Sequence, residues 1–187
     1  MADKQSRPHI DPPIQALLDK LEISAEKAAA AEIGIFAYSV KVICGRQGDA
    51  HCCCAAGARP GVYATEVNIQ NISLQRAPVV KALLPLINMG AVVGREPSFA
   101  DPAKAKVDTI VLPPLAATMD DCCRIAELQL GAPAGGETPL TIAILTILST
   151  VELTVSVVYT ATPLSGDGIS IDVEYILPRR LELGNRG

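Results

Sequence analysis

The strongest constraint on the fold is the apolar stretch at residues 140–159. A bilayer can be crossed by a helix of about 20 apolar residues, so this stretch is long enough to be considered as a membrane span. However, Glu152 lies inside it, and Ser149-Thr150 interrupts it. The stretch is also rich in Thr, Val and Ile, which favour strands. We therefore predict two strands joined by a tight turn.

Strand-like patterns recur through the rest of the chain. In one segment Tyr63, Thr65, Val67 and Ile69 alternate with smaller or polar residues, which is typical of a strand with one buried side. Pro85 interrupts another segment, which predicts an edge position or a bulge there. The predicted strands are 36–44, 63–70, 79–87, 107–112, 140–148, 151–159 and 168–176. About seven short strands favour a mainly β fold, an antiparallel β-sandwich.

Two helices are predicted beside the strands. Thr118-Met119-Asp120-Asp121 resembles a helix start and Gly131 a helix end, so a short helix is expected at 121–130. A longer amphipathic helix is expected at 12–33, because Asp11-Pro12-Pro13 is a good helix start and Gly34 a credible stop. Its apolar positions recur at spacings of three and four, and residues 28–31 are all alanine. The stripe consists of Ile14, Leu17, Leu18, Leu21, Ala25 and Ala28.

These elements predict four parts of the chain: a flexible leader at 1–11, the helix at 12–33, a β-sandwich oligomerisation domain at 35–180 and a tail at 181–187. The six residues of the stripe are our candidate partner-binding residues, with the helix lying in a groove of a larger protein. The alternative is that the stripe packs back onto the sandwich of its own chain.

Composition restricts the partners. The chain is 49% apolar but has only two Phe, four Tyr and no Trp, so its core must be aliphatic. So large an aliphatic content in a small domain favours a core shared between subunits.

The formal net charge is −4 and no basic cluster is present, which argues against nucleic acid as a partner. The polar N-terminus has no secretory pattern, so we expect a cytoplasmic protein, with peripheral membrane association as an alternative.

Six cysteines leave three explanations open: buried free thiols, cross-links, and a metal or cluster site. Zinc and iron–sulfur sites usually use cysteines separated by two to four residues, and the spacing here does not fit. Nothing signals export, where disulfides are common. We favour free cysteines acting as small buried apolar residues, and assign no metal. The cysteines are Cys44, Cys52, Cys53, Cys54, Cys122 and Cys123.

A catalytic site is not evident. His9 and His51 are the two histidines, and adjacency of His51 to Cys52 in sequence is weak support for a catalytic pair. No phosphate-binding loop, nucleophile elbow or dinucleotide motif occurs. We predict a protein that is not an enzyme and has no cofactor. Most of the acids in strand-like or turn segments are expected to be surface charges, namely Glu66, Asp120, Asp121, Glu152, Asp172 and Glu174.

Residues 63–177 resemble bacterial β-sandwich modules of the sensory-rhodopsin-transducer-like kind. The similarity is carried by Val67-Asn68-Ile69-Gln70-Asn71, by Leu112-Pro113-Pro114, and by residues 148–153 followed by 157–161. The resemblance implies an antiparallel sandwich that forms a symmetric, often fourfold, non-catalytic oligomer. By architecture alone, a docking helix on such a module is also similar to the stalk subunit of high-affinity uptake nickel–iron hydrogenases, which implies a membrane-proximal scaffold with a sheltered path for quinone.

The first functional hypothesis is therefore a homo-oligomeric scaffold whose N-terminal helices hold a larger, hydrogenase-type redox enzyme and whose strands 140–159 line a shared interior. The second is a signalling module that binds a small molecule or lipid. The third is a disulfide-linked fibre subunit.

Overall fold

The computed structural model describes residues 34–48, 60–96, 99–131, 138–166 and 168–181. The predicted leader, the N-terminal helix with its six candidate partner-binding residues, and the tail beyond residue 181 lie outside these ranges. Within them the fold is mainly β, and every pairing between named strands is antiparallel. This confirms the prediction of a mainly β, antiparallel fold.

Ten strands and one α-helix occur in the described part of the chain. The strands are β1 (Ile35–Gln47), β2 (Gly61–Gln70), β3 (Ala77–Asn88), β4 (Ala91–Val92), β5 (Lys106–Leu112), β6 (Ala117–Asp120), β7 (Thr141–Ser149), β8 (Thr154–Pro163), β9 (Ser170–Ile176) and β10 (Arg179–Leu181). The helix α1 is Cys122–Leu130, and a 3-10 helix spans Pro102–Lys104. The prediction of about seven strands missed β4, β6 and β10, which are too short to show a period.

The strands form two groups. In the first, β7 pairs with β1 and β3, while β3 also pairs with β4 and β5, and β1 with β10. In the second, β2 pairs with β6 and β8, and β9 lies beside β8. The last residues of β1 pair with the first of β2 and join the groups into one sheet.

Strand β1 passes from one group to the other at Gly45. The strand continues beyond the predicted end at residue 44 to Gln47, and Gly45 has a φ of 99°. A Cβ atom here would lie 2.6 Å from the backbone oxygens of Thr138 and Pro139, so only glycine fits. Thr65 fills the space where the strands diverge, since its hydroxyl accepts from the Ile43 N–H at 2.9 Å and donates to the Ile43 carbonyl at 3.0 Å.

The core combines side chains from both groups and from α1. Its largest buried members include Leu83, Leu145, Ile69 and Ile125. Tyr38 is also buried, and its hydroxyl donates to the Leu153 carbonyl at 2.8 Å and accepts from the Leu153 N–H at 2.7 Å. These bonds tie the connection between β7 and β8 to β1.

Residues 140–159 form β7 and β8, as predicted, and no helix among the described residues is both long and apolar enough to cross a membrane. The two strands do not pair with each other: β7 belongs to the first group and β8 to the second. Pro85 was predicted to lie at an edge or at a bulge, and it has features of both. On the side of β3 away from β7, β5 pairs with residues up to Leu83 and β4 with residues from Ile87, so Pro85 lies at an unpaired edge between them. The register of β3 with β7 also shifts between Pro85 and Ile87, as at a bulge.

Candidate assembly surface

The most exposed apolar strand is β9. It pairs with β8 on one side, and no described strand pairs with its other side. Ile171, Val173 and Tyr175 lie on one face of β9, and Ile169 and Leu177 flank the strand. These five side chains, which we call the β9 surface, are between 55% and 82% exposed. Large exposed apolar patches of this kind are typical of association sites, so the β9 surface is a candidate for one.

The β9 surface continues onto β8. Val158 lies opposite Val173, and Thr160 lies opposite Ile171. Val158 and Thr160 are half-buried, whereas Val155 and Val157 on the other face of β8 belong to the core. The outer face of β8 therefore extends the same apolar surface toward the middle of the sheet.

Acids occupy the other face of β9. Asp172 lies opposite Tyr159 and Glu174 opposite Val157, and both acids are exposed as predicted. Partial burial raises the pKa of the Tyr159 hydroxyl, and the negative charges of Glu174 and Asp172 raise it further. Inward-pointing charges at a sheet edge disfavour extension of the sheet by another strand.

A second feature is a buried ion cluster between the strand groups. The Lys81 ammonium lies 2.8 Å and 3.0 Å from the two carboxylate oxygens of Asp120, and 3.0 Å from Asp108. Arg124 at the start of α1 contacts Asp108 at 2.9 Å and Glu127 at 3.0 Å. Asp120 was predicted to be a surface charge, and this was wrong: the structure buries it against Lys81.

Two basic and three acidic side chains make up the cluster, and each contacts a side chain of opposite charge. Partial burial alone would raise the pKa of Asp108, but hydrogen bonds from Lys81 and Arg124 outweigh it and hold that pKa below its ordinary value. Hydrogen bonds to Glu127 and Asp108 raise the pKa of Arg124. Every buried side-chain nitrogen and oxygen in the described part of the chain has a hydrogen-bond partner. The ion pairs join β3 and β5 to β6 and α1, so the cluster clamps the two strand groups together.

Two of the cysteines contradict the favoured interpretation of all six as free thiols. Cys44 at the end of β1 forms a disulfide with Cys122, the first residue of α1, while Cys123 is free and exposed. Sequence reasoning missed this pair because its members are 78 residues apart and their approach depends on how α1 packs. Disulfides are typical of oxidising compartments, so the cytoplasmic location stays a prediction.

The remaining candidate residues are placed as follows. No group of three or more His, Cys, Asp or Glu there could hold a metal ion. His9, His51 and Cys52 to Cys54 lie outside those ranges, so their predicted roles stay predictions. Glu152 is exposed and Glu66 half-buried, whereas Asp121 caps α1 by accepting from the Arg124 N–H at 2.8 Å.

Comparisons with known proteins add little. No protein-family model matches the chain, and no curated protein matches it. A solved structure described as "Crystal Structure of Thermotoga maritima 1070" is similar to this chain with a TM-score of 0.42 and 11% sequence identity. The match covers 77% of this chain and 92% of that one. Neither fold nor function is inferred from a similarity of this size.

Proposed function

We propose that this protein is a non-catalytic homo-oligomeric scaffold. Copies associate through the β9 surface, and their N-terminal segments hold a larger protein. The exposure of the five apolar side chains of that surface carries the proposal, because a monomer would leave them in contact with water. The ion cluster supports a structural role, since its ion pairs join the two groups of strands.

The size of the β9 surface is sufficient for association. Burying a large apolar side chain stabilises by about 1.5–3 kcal/mol, so covering the exposed parts of these five contributes about 5–10 kcal/mol per copy. Two copies together contribute about 10–20 kcal/mol, against an association cost of about 4–15 kcal/mol. The outer face of β8 enlarges the contact. At the midpoints of the two ranges the balance is about 5 kcal/mol in favour of a complex, which corresponds to a dissociation constant of about 0.1 mM.

Charge decides how two copies meet. Pairing two β9 strands antiparallel about Val173 would place Asp172 of each copy opposite Glu174 of the other, and like charges directly opposite destabilise a strand pair. Packing the apolar faces against each other keeps these carboxylates in water. The proposed contact is therefore face to face, around a twofold axis.

The finer parts of the proposal rest on the sequence. We take the two groups of strands as the layers of the expected sandwich. A twofold contact closes a dimer, so the fourfold assembly implied by the transducer-like resemblance adds a second contact that forms between such dimers. The larger partner, its redox chemistry and any quinone or membrane contact follow from the architectural analogy with the hydrogenase stalk. One detail changes: β7 buries its apolar side chains within its own chain, so residues 140–159 are replaced by the β9 surface as the shared contact.

A second candidate, a ligand-binding module, is favoured by one observation. A groove of about 550 Å³ lies between β1 and the segment of β9 and β10. Glu174 and Arg179 line it together with Ser39 and Thr146, so a small ligand carrying both charged and hydroxyl groups would find partners there. The fibre hypothesis rests on cross-links through Cys52, Cys53 and Cys54, which lie outside the described residues, so it stays a prediction.

Native mass spectrometry of the full chain, with Val173→Asp and Val111→Asp compared, tests the scaffold. Both residues are exposed strand valines, and Val111 lies on β5, away from the β9 surface. We expect wild type and V111D to form the same oligomer and V173D to be monomeric with an unchanged circular dichroism spectrum. A monomeric wild type, or an oligomer that V173D leaves intact, would refute the assembly. Removing residues 1–33 should then release the larger partner while the oligomer persists.

A further inference from the structure

A second apolar surface is formed by two loops at the end of the sheet where β2 ends and β6 begins. Ile72 and Leu74, in the loop after β2, are 59% and 82% exposed, and Leu115, in the loop before β6, is 62% exposed. We call these three residues the loop platform. Three large aliphatic side chains clustered in two adjoining loops form a patch that a partner would be expected to cover.

The loop platform is rigid because Asn71 joins its two loops. The buried Asn71 amide nitrogen donates to the carbonyls of Gln75 at 2.7 Å, Pro113 at 2.9 Å and Leu112 at 3.3 Å. Its amide oxygen accepts from the N–H and hydroxyl of Ser73 at 3.0 Å and 2.8 Å. One side chain thus satisfies donors and acceptors from both loops, and the platform is formed before anything binds to it.

The backbone at Leu115 is held in an unusual conformation. Its φ is 60°, in the left-handed region that large side chains rarely adopt. Backbone hydrogen bonds keep it there: the Leu115 N–H donates to the Ser73 carbonyl at 3.3 Å, and the Asn71 N–H to the Ala116 carbonyl at 2.9 Å. Glycine or asparagine would fit this conformation at lower cost, so the backbone does not require a leucine here.

The described chain begins at the same end. β1 starts at Ile35, its neighbour β7 ends there, and the next strand, β3, starts at Ala77 directly after the loop that carries Ile72 and Leu74. Two strand spacings separate β1 from β3, which is about 10 Å. A chain leaving Gly34 toward the N-terminus covers that distance in about seven helical residues.

We propose that the loop platform is the seat of this chain's own N-terminal segment, with residues 25–33 lying across Ile72, Leu74 and Leu115. This part of the segment includes Ala25 and the alanines at 28–31, and a surface of small residues lets the projecting platform side chains approach the backbone closely. A helix over 12–33 is about 33 Å long and extends beyond the platform. The half with Ile14, Leu17, Leu18 and Leu21 is left free for the larger partner.

The inference goes beyond the proposed function and does not depend on it, since one chain alone can make the contact. Hydrogen exchange followed by mass spectrometry tests it on the full-length protein, in wild type and in V173D. The platform variant is Leu74→Ser with Leu115→Asn. The matched control is Val93→Ser, an exposed valine beyond the opposite end of β3. Asparagine tolerates positive φ, so the double variant keeps its loop.

We expect amides of residues 25–33 to exchange at least tenfold more slowly than in a free peptide of that sequence, equally in wild type and V173D. The platform variant should raise their exchange to the peptide rate without lowering the melting temperature of the β domain, and V93S should leave it unchanged. Exchange at the peptide rate in wild type, or protection that the platform variant does not alter, would overturn the inference. Protection in an oligomeric wild type that is lost in a monomeric V173D would overturn it too, by assigning the platform to a second copy. An unchanged oligomer in V173D refutes only the assembly.

Discussion

Replacing Lys81 by methionine removes the ammonium that joins Asp120 to Asp108. The side chains of Lys81 and Asp120 are only 3% and 2% exposed, so the carboxylate of Asp120 would be left buried without its cation. Asp108 is more exposed and keeps Arg124 at 2.9 Å. Removing one partner of a buried ion pair costs about 3–5 kcal/mol. We expect K81M to lower the free energy of unfolding by an amount in that range, mostly through Asp120.

Two further variants show how much of the stability lost in K81M comes from leaving Asp120 buried without its cation. Asp120→Asn leaves Lys81 paired with Asp108, so its cost should be lower, about 1–3 kcal/mol. Lys81→Met combined with Asp120→Leu removes both charges, and such a replacement of a buried pair is often neutral or stabilising. The double variant should therefore be more stable than K81M alone, with a coupling energy of at least about 2 kcal/mol.

Urea unfolding of the full chain, followed by circular dichroism, measures these differences as shifts of the transition midpoint at constant slope. V111D serves as a surface control, because a substitution at an exposed position usually changes stability by less than about 0.5 kcal/mol. A loss below about 1 kcal/mol for K81M, or a double variant as unstable as the sum of the single variants, would show that the charges are not buried as a coupled pair.

Three further outcomes follow from the same contacts. Asn71→Ala should cost about 2–4 kcal/mol in urea unfolding, since it leaves several loop carbonyls and N–H groups without partners; a loss under 1 kcal/mol would contradict the role given to Asn71. Reducing the Cys44–Cys122 bond should cost about 4 kcal/mol, because it closes a long loop, and an unchanged melting temperature with dithiothreitol would contradict this. The pKa of Asp108 is lowered by folding, so its contribution to stability is complete above its unfolded pKa and is lost as pH falls through the folded one. Urea midpoints should therefore fall less between pH 5 and pH 3 in Asp108→Asn than in wild type, and equal falls would refute that assignment.

Local signals in the sequence were sufficient to predict the positions of most helices and strands. Helix α1 begins after Asp121 and ends at Gly131 in the left-handed conformation, because capping depends on neighbouring residues alone. The alternation in β2 likewise predicted buried Thr65, Val67 and Ile69, as the structure has them. Sequence reasoning failed at Asp120, which was assigned to the helix start. It belongs to β6 and lies opposite the core residue Val67, so the register turns it inward.

Pairing between distant elements could not be predicted in this way. The apolar residues of β7 and of β9 have the same strand-like character in sequence, yet β7 is covered on both sides by β1 and β3 and β9 on one side by β8. Their exposure differs for that reason, and the candidate surface follows from it. The sequence by itself determined where strands, caps and turns occur, since these depend on period and on local hydrogen bonding. Only the tertiary structure decided which apolar strand stays in water, which acid meets Lys81 and which cysteines join, because each depends on residues that are far apart along the chain.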